Sequence, residues 1–199
     1  MQTSSKIFKL LFGILLLCNI LLLASLSYIL LKDNNGWTEA ERIDIKDKTG
    51  NNRIVISNVD NIPPPIINGK TYQRAVTPAG LIFYDKNGDE RGGLAITDTE
   101  DTNFNALSFD YQNADAIGIY AQDNKKDNYF KAGLTINDKD LSGKPGHNIN
   151  RINLITENGN ASLVMKDMNE IPRIILKVDS IGNPSIEMYD ERGKIKFKQ

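Results

Sequence analysis

From residue 41 onward, apolar and polar positions alternate at a period of two, the spacing that puts every second side chain on one face of a strand. Ile43 and Ile45 flank Asp44, and Arg53-Ile54-Val55-Ile56 is a β-branched run. The same texture recurs in Leu81-Ile82-Phe83-Tyr84, Leu107-Ser108-Phe109, Ile117-Gly118-Ile119-Tyr120, Leu134-Thr135-Ile136 and Ile152-Asn153-Leu154, then at 174–178, 186–189 and 195–197. No stretch beyond residue 40 carries a sustained helical stripe, so the pattern predicts an all-β domain. The beginning of the chain is of the opposite kind. Residues 10–31 form an uncharged run of 22 with Asn19 as its one strongly polar member.

About 20 apolar residues cross the hydrocarbon layer as a helix, because every backbone amide must be satisfied internally there. The run is therefore expected to be an uncleaved transmembrane signal-anchor. A cleaved leader is the rival, but its apolar region should span roughly 7 to 15 residues and end at a small-x-small site. Ala24-Ser25-Leu26 puts a bulky residue there, and Leu17 before Cys18 is too large for a lipidation site. Lys6 and Lys9 precede the span and no acid occurs before Asp33, which favours an inside amino terminus and an extracytoplasmic carboxy-terminal part. Tyr28 and Trp37 are placed near the interfacial end, with Trp37 alternatively a lid on the first strands. The expected organisation is a tail at 1–9, a single transmembrane helix at 10–31, a linker at 32–40 and a β-rich domain at 41–199.

Within that domain the turns repeat. Asp-x-x-Gly occurs as Asp47 to Gly50, Asp85 to Gly88, Asp179 to Gly182 and Asp190 to Gly193. An Asp carboxylate can accept amide hydrogens two residues on, and Gly takes the positive φ that returns the chain. The first two turns align over a longer stretch: Ile43, Ile45, Asp47, Gly50, Arg53 and Ile56 match Leu81, Phe83, Asp85, Gly88, Arg91 and Leu94. Further on, turn centres at Gly159, Glu170, Gly182 and Gly193 leave room for one short strand between each, the spacing of an antiparallel meander. The fold predicted is a series of antiparallel hairpin and meander units; sandwich, barrel and solenoid all satisfy the spacing.

Leu163 with Met165, Ile186 with Met188, and Ile195 with Phe197 should share an apolar face, opposite Glu187, Lys194, Lys196 and Lys198. Such a face left wet costs roughly 25 cal/mol per Å². Packing on the earlier units as a second layer is the expectation, with packing on another chain, including a homo-oligomer, as runner-up. Two stretches break the order. Three consecutive prolines, Pro63 to Pro65, exclude 61–69 from a central strand and suggest an extended crossing. Residues 138–150 are expected to be a turn-rich loop.

After residue 32 the chain carries all 25 acids against 21 bases, a net charge near −4 that argues against a nucleic-acid surface. One Cys and one His exclude a disulfide framework, a Cys-rich metal site and a two-His motif. Asp85, Asn87 and Asp89 place oxygens at alternate positions and raise calcium. However, Gly88 is fourth, Glu90 sixth and Thr97 thirteenth in that string, where a helix-loop-helix calcium loop wants Gly sixth and Glu twelfth. A tight charged turn followed by a glycine bulge or close backbone approach at Gly92-Gly93 fits the residues better. A phosphate loop lacks its helix. Carboxylate pairs could be drawn from Asp89, Glu90, Asp98, Asp101 and Asp110 without any one being singled out. His147 reads as an ordinary loop residue, with no nucleophile elbow to serve, and Lys125 and Lys126 sit in a charge-balanced turn.

The spans ERIDIKDKTGNNRIVISN (41–58), PAGLIFYDKNGDERGGLAI (78–96), KAGLTINDK (131–139) and PRIILKVDSIGNPSIEMYDERGKI (172–195) resemble a family of uncharacterised bacterial single-span, membrane-anchored, β-rich proteins. The Gly-Asp-Glu-x-Gly-Gly-Leu element at Gly88 to Leu94 is the most specific part. The resemblance implies a β architecture and a membrane anchor, and assigns no catalytic, cofactor-binding or metal-binding residue. The expected role is a non-catalytic, envelope-associated interaction module held by the bilayer, with a protein or glycan partner and no cofactor. An acid-based hydrolase or glycan-binding enzyme is the alternative, and a calcium-stabilised adhesion domain another. The enzyme requires two or more of Asp85, Asp89, Glu90, Asp98 and Asp101 to converge in a pocket, one with a raised pKa. The interaction module requires those acids fanned out on turns and an exposed apolar patch elsewhere.

Overall fold

The computed structural model describes residues 2–32 and 38–199, and the chain divides into two units, one ending at Ala40 and the other Glu41–Gln199. Most of the expected linker, with Trp37, lies outside the described residues. In the first unit, helix α1 runs Gln2–Lys32, starting well before the uncharged run. Its 24-residue segment Lys6–Ile29 contains a stretch of 18 residues with mean hydropathy 2.6. At 1.5 Å per residue such a helix is roughly 36 Å long, enough for a hydrocarbon core of about 30 Å. Asn19 is tolerated there because its Nδ2 donates back to the Leu15 carbonyl at 2.8 Å, and Ser25 does the same to Leu22 at 2.8 Å.

The second unit holds fourteen strands: β1 (Arg42–Lys46), β2 (Asn52–Ser57), β3 (Ile66–Ile67), β4 (Lys70–Thr71), β5 (Ala79–Tyr84), β6 (Glu90–Asp98), β7 (Thr102–Asp110), β8 (Asp115–Asn124), β9 (Tyr129–Lys139), β10 (Asn148–Glu157), β11 (Asn160–Lys166), β12 (Pro172–Val178), β13 (Pro184–Tyr189) and β14 (Ile195–Lys198). Twelve form one antiparallel sheet in sequence order, β1-β2-β5 and onward to β14, without closing into a barrel. The other two, β3 and β4, pair with each other in the stretch expected to be a plain crossing. Asn68 at φ 53° and Gly69 at φ 71° supply the tight turn between them.

The register explains the alternation. One unbroken row of eleven apolar residues crosses the sheet: Ile43, Ile56, Leu81, Leu94, Leu107, Ile119, Leu134, Leu154, Leu163, Leu176 and Ile186, each paired with the next. A second row on the same face runs Phe109, Ile117, Ile136, Ile152, Met165, Ile174, Met188 and Phe197. Leu163, Met165, Ile186, Met188 and Phe197 thus share a face as expected, and Lys198 bonds Glu187 at 2.7 Å on the other.

The expected second layer is not formed by the described residues. Ten of the sheet's eleven strand-to-strand connections are two to eight residues long, which leaves no slack to carry a strand to another layer. The exception is 58–78, between β2 and β5. It lies over the opposite face and covers the sheet's one buried apolar cluster, Val55, Ile82 and Tyr84, with Ile62 packed on it. Elsewhere the apolar face is open: Ile119 is 57% exposed, Leu154 54% and Met188 43%.

Five turns share one construction. Asp47, Asp85, Asp167, Asp179 and Asp190 each accept, on one carboxylate oxygen, the amides two and four residues ahead, at 2.8–3.1 Å. The residue three ahead donates its amide to the Asp carbonyl and takes positive φ; it is Gly in four turns and Glu170, at φ 61°, in the fifth. These amide bonds favour the charged form, and the carboxyls of all five are held below the ordinary range, with Thr49 leading at Asp47 and Asn183 at Asp179. The second oxygen reaches a cation six residues on in three of them: Asp85 to Arg91 at 2.6 Å, Asp167 to Arg173 at 2.7 Å, and Asp190 to Lys196 at 3.8 Å.

The expected glycine irregularity is present. The β5–β6 register shifts between Ile82 and Tyr84, and Gly92 opposes this break at φ 120°. A Cβ on Gly92 would lie 2.2 Å from the Ser108 carbonyl oxygen, and one on Gly93 would lie 2.4 Å from that of Leu81. With no side chain on Gly92, the rings of Phe83 and Phe109 stack across it at 6.0 Å.

Candidate functional site

Strand ends gather the acids into separate places. At one end of the sheet, the β6 start, the β7–β8 turn, the 58–78 segment and the β9–β10 loop meet around a cavity of about 160 Å³ lined by Pro65, Ile67, Glu90, Asp110, Asn113, Asp115 and Gly146 among others. The β9–β10 loop proper covers 140–147, shorter than expected because β9 runs on to Lys139 and β10 begins at Asn148. The buried Asn113 secures it: its Nδ2 donates to the carbonyls of His147 at 2.8 Å and of Asp140 and Lys144 at 3.4 Å, while its own carbonyl accepts the Gly146 amide at 2.7 Å. The Asn113 Oδ1 is buried without a partner. Asn137, also buried, donates to the Asp115 carbonyl at 3.0 Å and accepts from Asn150 at 2.9 Å.

The charge in this cleft is unevenly balanced. Glu90 is neutralised by a two-pronged contact with Arg74, at 2.7 and 3.2 Å, with both side chains largely buried. Among the described residues, no cation pairs with Asp110. Burial first, then the charge of Asp115 and a hydrogen bond with it, then the charge of Glu90, push its carboxyl up to about 7, against the opposing bond from Ser108. Asp110, beside Asp115, thus keeps its proton close to neutrality. Nearby, Tyr84 is buried with its hydroxyl unpartnered, and burial pushes that hydroxyl up to about 12.

The acids proposed from sequence are divided between places: Glu90 and Asp110 line this cleft, Asp98 and Asp101 line another hollow, and Asp85 and Asp89 are taken up by structural bonds. Asp89 is buried and bonded to the Gly69 amide at 2.7 Å, fastening the β3–β4 hairpin to the sheet. Asp85 is taken up by its turn and by Arg91. Of the oxygens that suggested calcium, those of Asp85 and Asp89 are thus engaged by backbone amides and the Arg91 guanidinium. Among the described residues, no three or more His, Cys, Asp or Glu are grouped to hold a metal ion. Asp98 and Asp101 lie at the far end of the β6–β7 hairpin, beside Asp123 and Lys125 in a separate hollow of about 250 Å³. Eight residues of strand, roughly 26 Å, separate Asp98 from Glu90. His147 contributes backbone alone to the cleft contacts. Asp115 escaped the sequence reading: it opens a strand as an ordinary polar residue, and its pairing with Asp110 depends on the short β7–β8 connection.

The second feature is the apolar face itself. Between the Leu94–Leu107–Ile119–Leu134–Leu154 ridge and the smaller row Asn105, Ala121, Ala132, Thr156 and Ala161 runs an open trough of about 720 Å³. It follows from residue size: leucine and isoleucine on one row, alanine and threonine on the next.

No protein-family model matches the chain, and no curated protein matches it. The architecture stands on the chain's own features: a single N-terminal apolar helix followed by a large antiparallel sheet, an arrangement consistent with a single-pass, membrane-anchored β module.

Proposed function

We propose that this protein is a non-catalytic interaction module, anchored by residues 10–31 with its sheet outside the cytoplasm, and that the apolar face docks a protein partner. The uncovered eleven-residue row carries the proposal. Monomeric proteins rarely leave a contiguous apolar patch beyond about 300–600 Å² facing water, and larger ones mark interaction sites. The Gly88–Leu94 likeness to a family of membrane-anchored β-rich proteins supports this architecture and assigns no residue a role. Lys6 and Lys9 support the outward placement. Two measurements test the proposal. External protease should digest the 41–199 domain in intact cells. A water-soluble maleimide should label Ile119→Cys more slowly than Lys177→Cys, a position exposed on the opposite face, in a Cys18→Ser background.

One observation favours a second reading, an acid-based hydrolase or glycan-binding enzyme: Asp110, the carboxyl held up to about 7, sits in a cleft with Asp115 and Glu90. Turnover of glycan substrates that disappears in Asp110→Asn supports it; equal turnover in the variant refutes it.

A further inference from the structure

Resting on the docking role given to the apolar face, we propose that its occupant is the same face of a second copy of this chain, so that two sheets close into a sandwich. Extent is the first argument. The apolar row continues strand after strand from Ile43 to Ile186, and the row beside it reaches Phe197 on the last strand. At about 4.8 Å per strand and 6.7 Å per row, the rows of eleven, eight and five positions together offer roughly 770 Å² per copy. That matches the ~800 Å² each partner contributes to a standard stable interface. The trough, at about 720 Å³, occupies only the middle strands. A small apolar ligand seated there would leave the outer positions, such as Ile43, Ile186 and Phe197, still wet.

Shape is the second argument. The leucine–isoleucine ridge lies beside a row of alanine and threonine, so a two-fold rotation sets the ridge of one copy into the furrow of the other. Stacked sheets separated by about 10 Å interdigitate in this way. A two-fold contact also closes on itself and stops at two copies.

The rest of the sheet resists other modes of assembly. Edge strand β1 carries Arg42, Asp44 and Lys46, and edge strand β14 carries Lys196 and Lys198, with Lys194 just before it. Charges on the outermost strands discourage edge-to-edge growth. The opposite face is partly covered by 58–78 and bears Asn153, Lys177, Glu187 and Lys198 along its rows. A helix that fits a membrane span would hold copies in one bilayer and raise their effective concentration.

The test uses the full chain in its native membrane with Cys18→Ser. Ile119, on the middle strand β8, is replaced by Cys, and Leu154→Cys serves as a second probe should the first misfold. Lys177→Cys reports the opposite face. A short bis-maleimide should convert most of the Ile119→Cys or Leu154→Cys chain to a band of twice the mass, with at least a fivefold smaller yield for Lys177→Cys. Slow maleimide labelling at position 119 with no doubled band overturns the second copy while leaving the docking role intact. Labelling at 119 as fast as at 177, again without a doubled band, overturns both. Equal doubled-band yields from the two faces overturn the sandwich.

Discussion

Stability of the sheet domain should fall as pH rises from about 4 toward about 7, and Asp110→Asn should remove that fall. The Asp110 carboxyl stands at about 7 in the folded protein against 3.8 in an open chain. Between those values the folded state holds a proton that the unfolded state has released, so the slope of unfolding free energy with pH is negative. Its contribution is fully present below about pH 4 and is lost as pH climbs to about 7. Each pH unit is worth about 1.4 kcal/mol, so the loss approaches ~4 kcal/mol at most. The five turn aspartates act in the opposite direction and in another window: held low, they stabilise above about pH 4 and lose that effect only on further acidification. Urea unfolding of the full chain in nanodiscs, followed by the β signal in circular dichroism at pH 5, 6, 7 and 8, reads the slope directly. The stability of Asp110→Asn relative to the parent should rise by about 2–3 kcal/mol between pH 5 and pH 8. A parent that is flat from pH 5 to 8, or an Asn variant that keeps the parent's slope, refutes the assignment.

Gly92→Ala and Gly93→Ala force a Cβ to within 2.2 and 2.4 Å of neighbouring carbonyl oxygens. Both should lower stability by more than about 3 kcal/mol or prevent folding, whereas Gly88→Ala, with open space at φ 84°, should cost only about 1–2 kcal/mol in the same unfolding assay. Arg74→Ala leaves Glu90 without its cation, so it should destabilise by roughly 2–4 kcal/mol and steepen the pH slope by adding negative charge beside Asp110. Asn113→Ala releases the 140–147 loop; limited proteolysis should cut there sooner, with a loss of about 1–3 kcal/mol from the abandoned carbonyls.

Much of this structure is legible in the residues because each strand pairs with its sequence neighbour. Alternation gave the faces, Asp-x-x-Gly the corners, and Gly92-Gly93 the bulge. Glu170 was recognisable as a turn centre from spacing, and its positive φ shows Asp167 building the corner without glycine. What escaped depended on longer reach. The second layer was inferred from the cost of a wet apolar face, a free-energy argument that says the face must be covered without saying by what. The cleft escaped because Asp110 and Asp115 belong to different strands, Glu90 to a third, and Arg74 to the excursion after the prolines. Arg53 and Arg91 hold matching places after the first two turns, but only the structure shows Arg91 on the free oxygen of Asp85 and Arg53 donating instead to the Tyr84 carbonyl.

The serial order of the strands bears on how such a chain is made and altered. Each strand can add to the edge left by the one before it, so the sheet can assemble progressively as the polypeptide emerges. Little of the strand pairing must wait for distant segments. The matching first two hairpins show the same corner used twice, and a ribbon of this type can gain or lose a hairpin by local duplication or deletion without re-threading what remains.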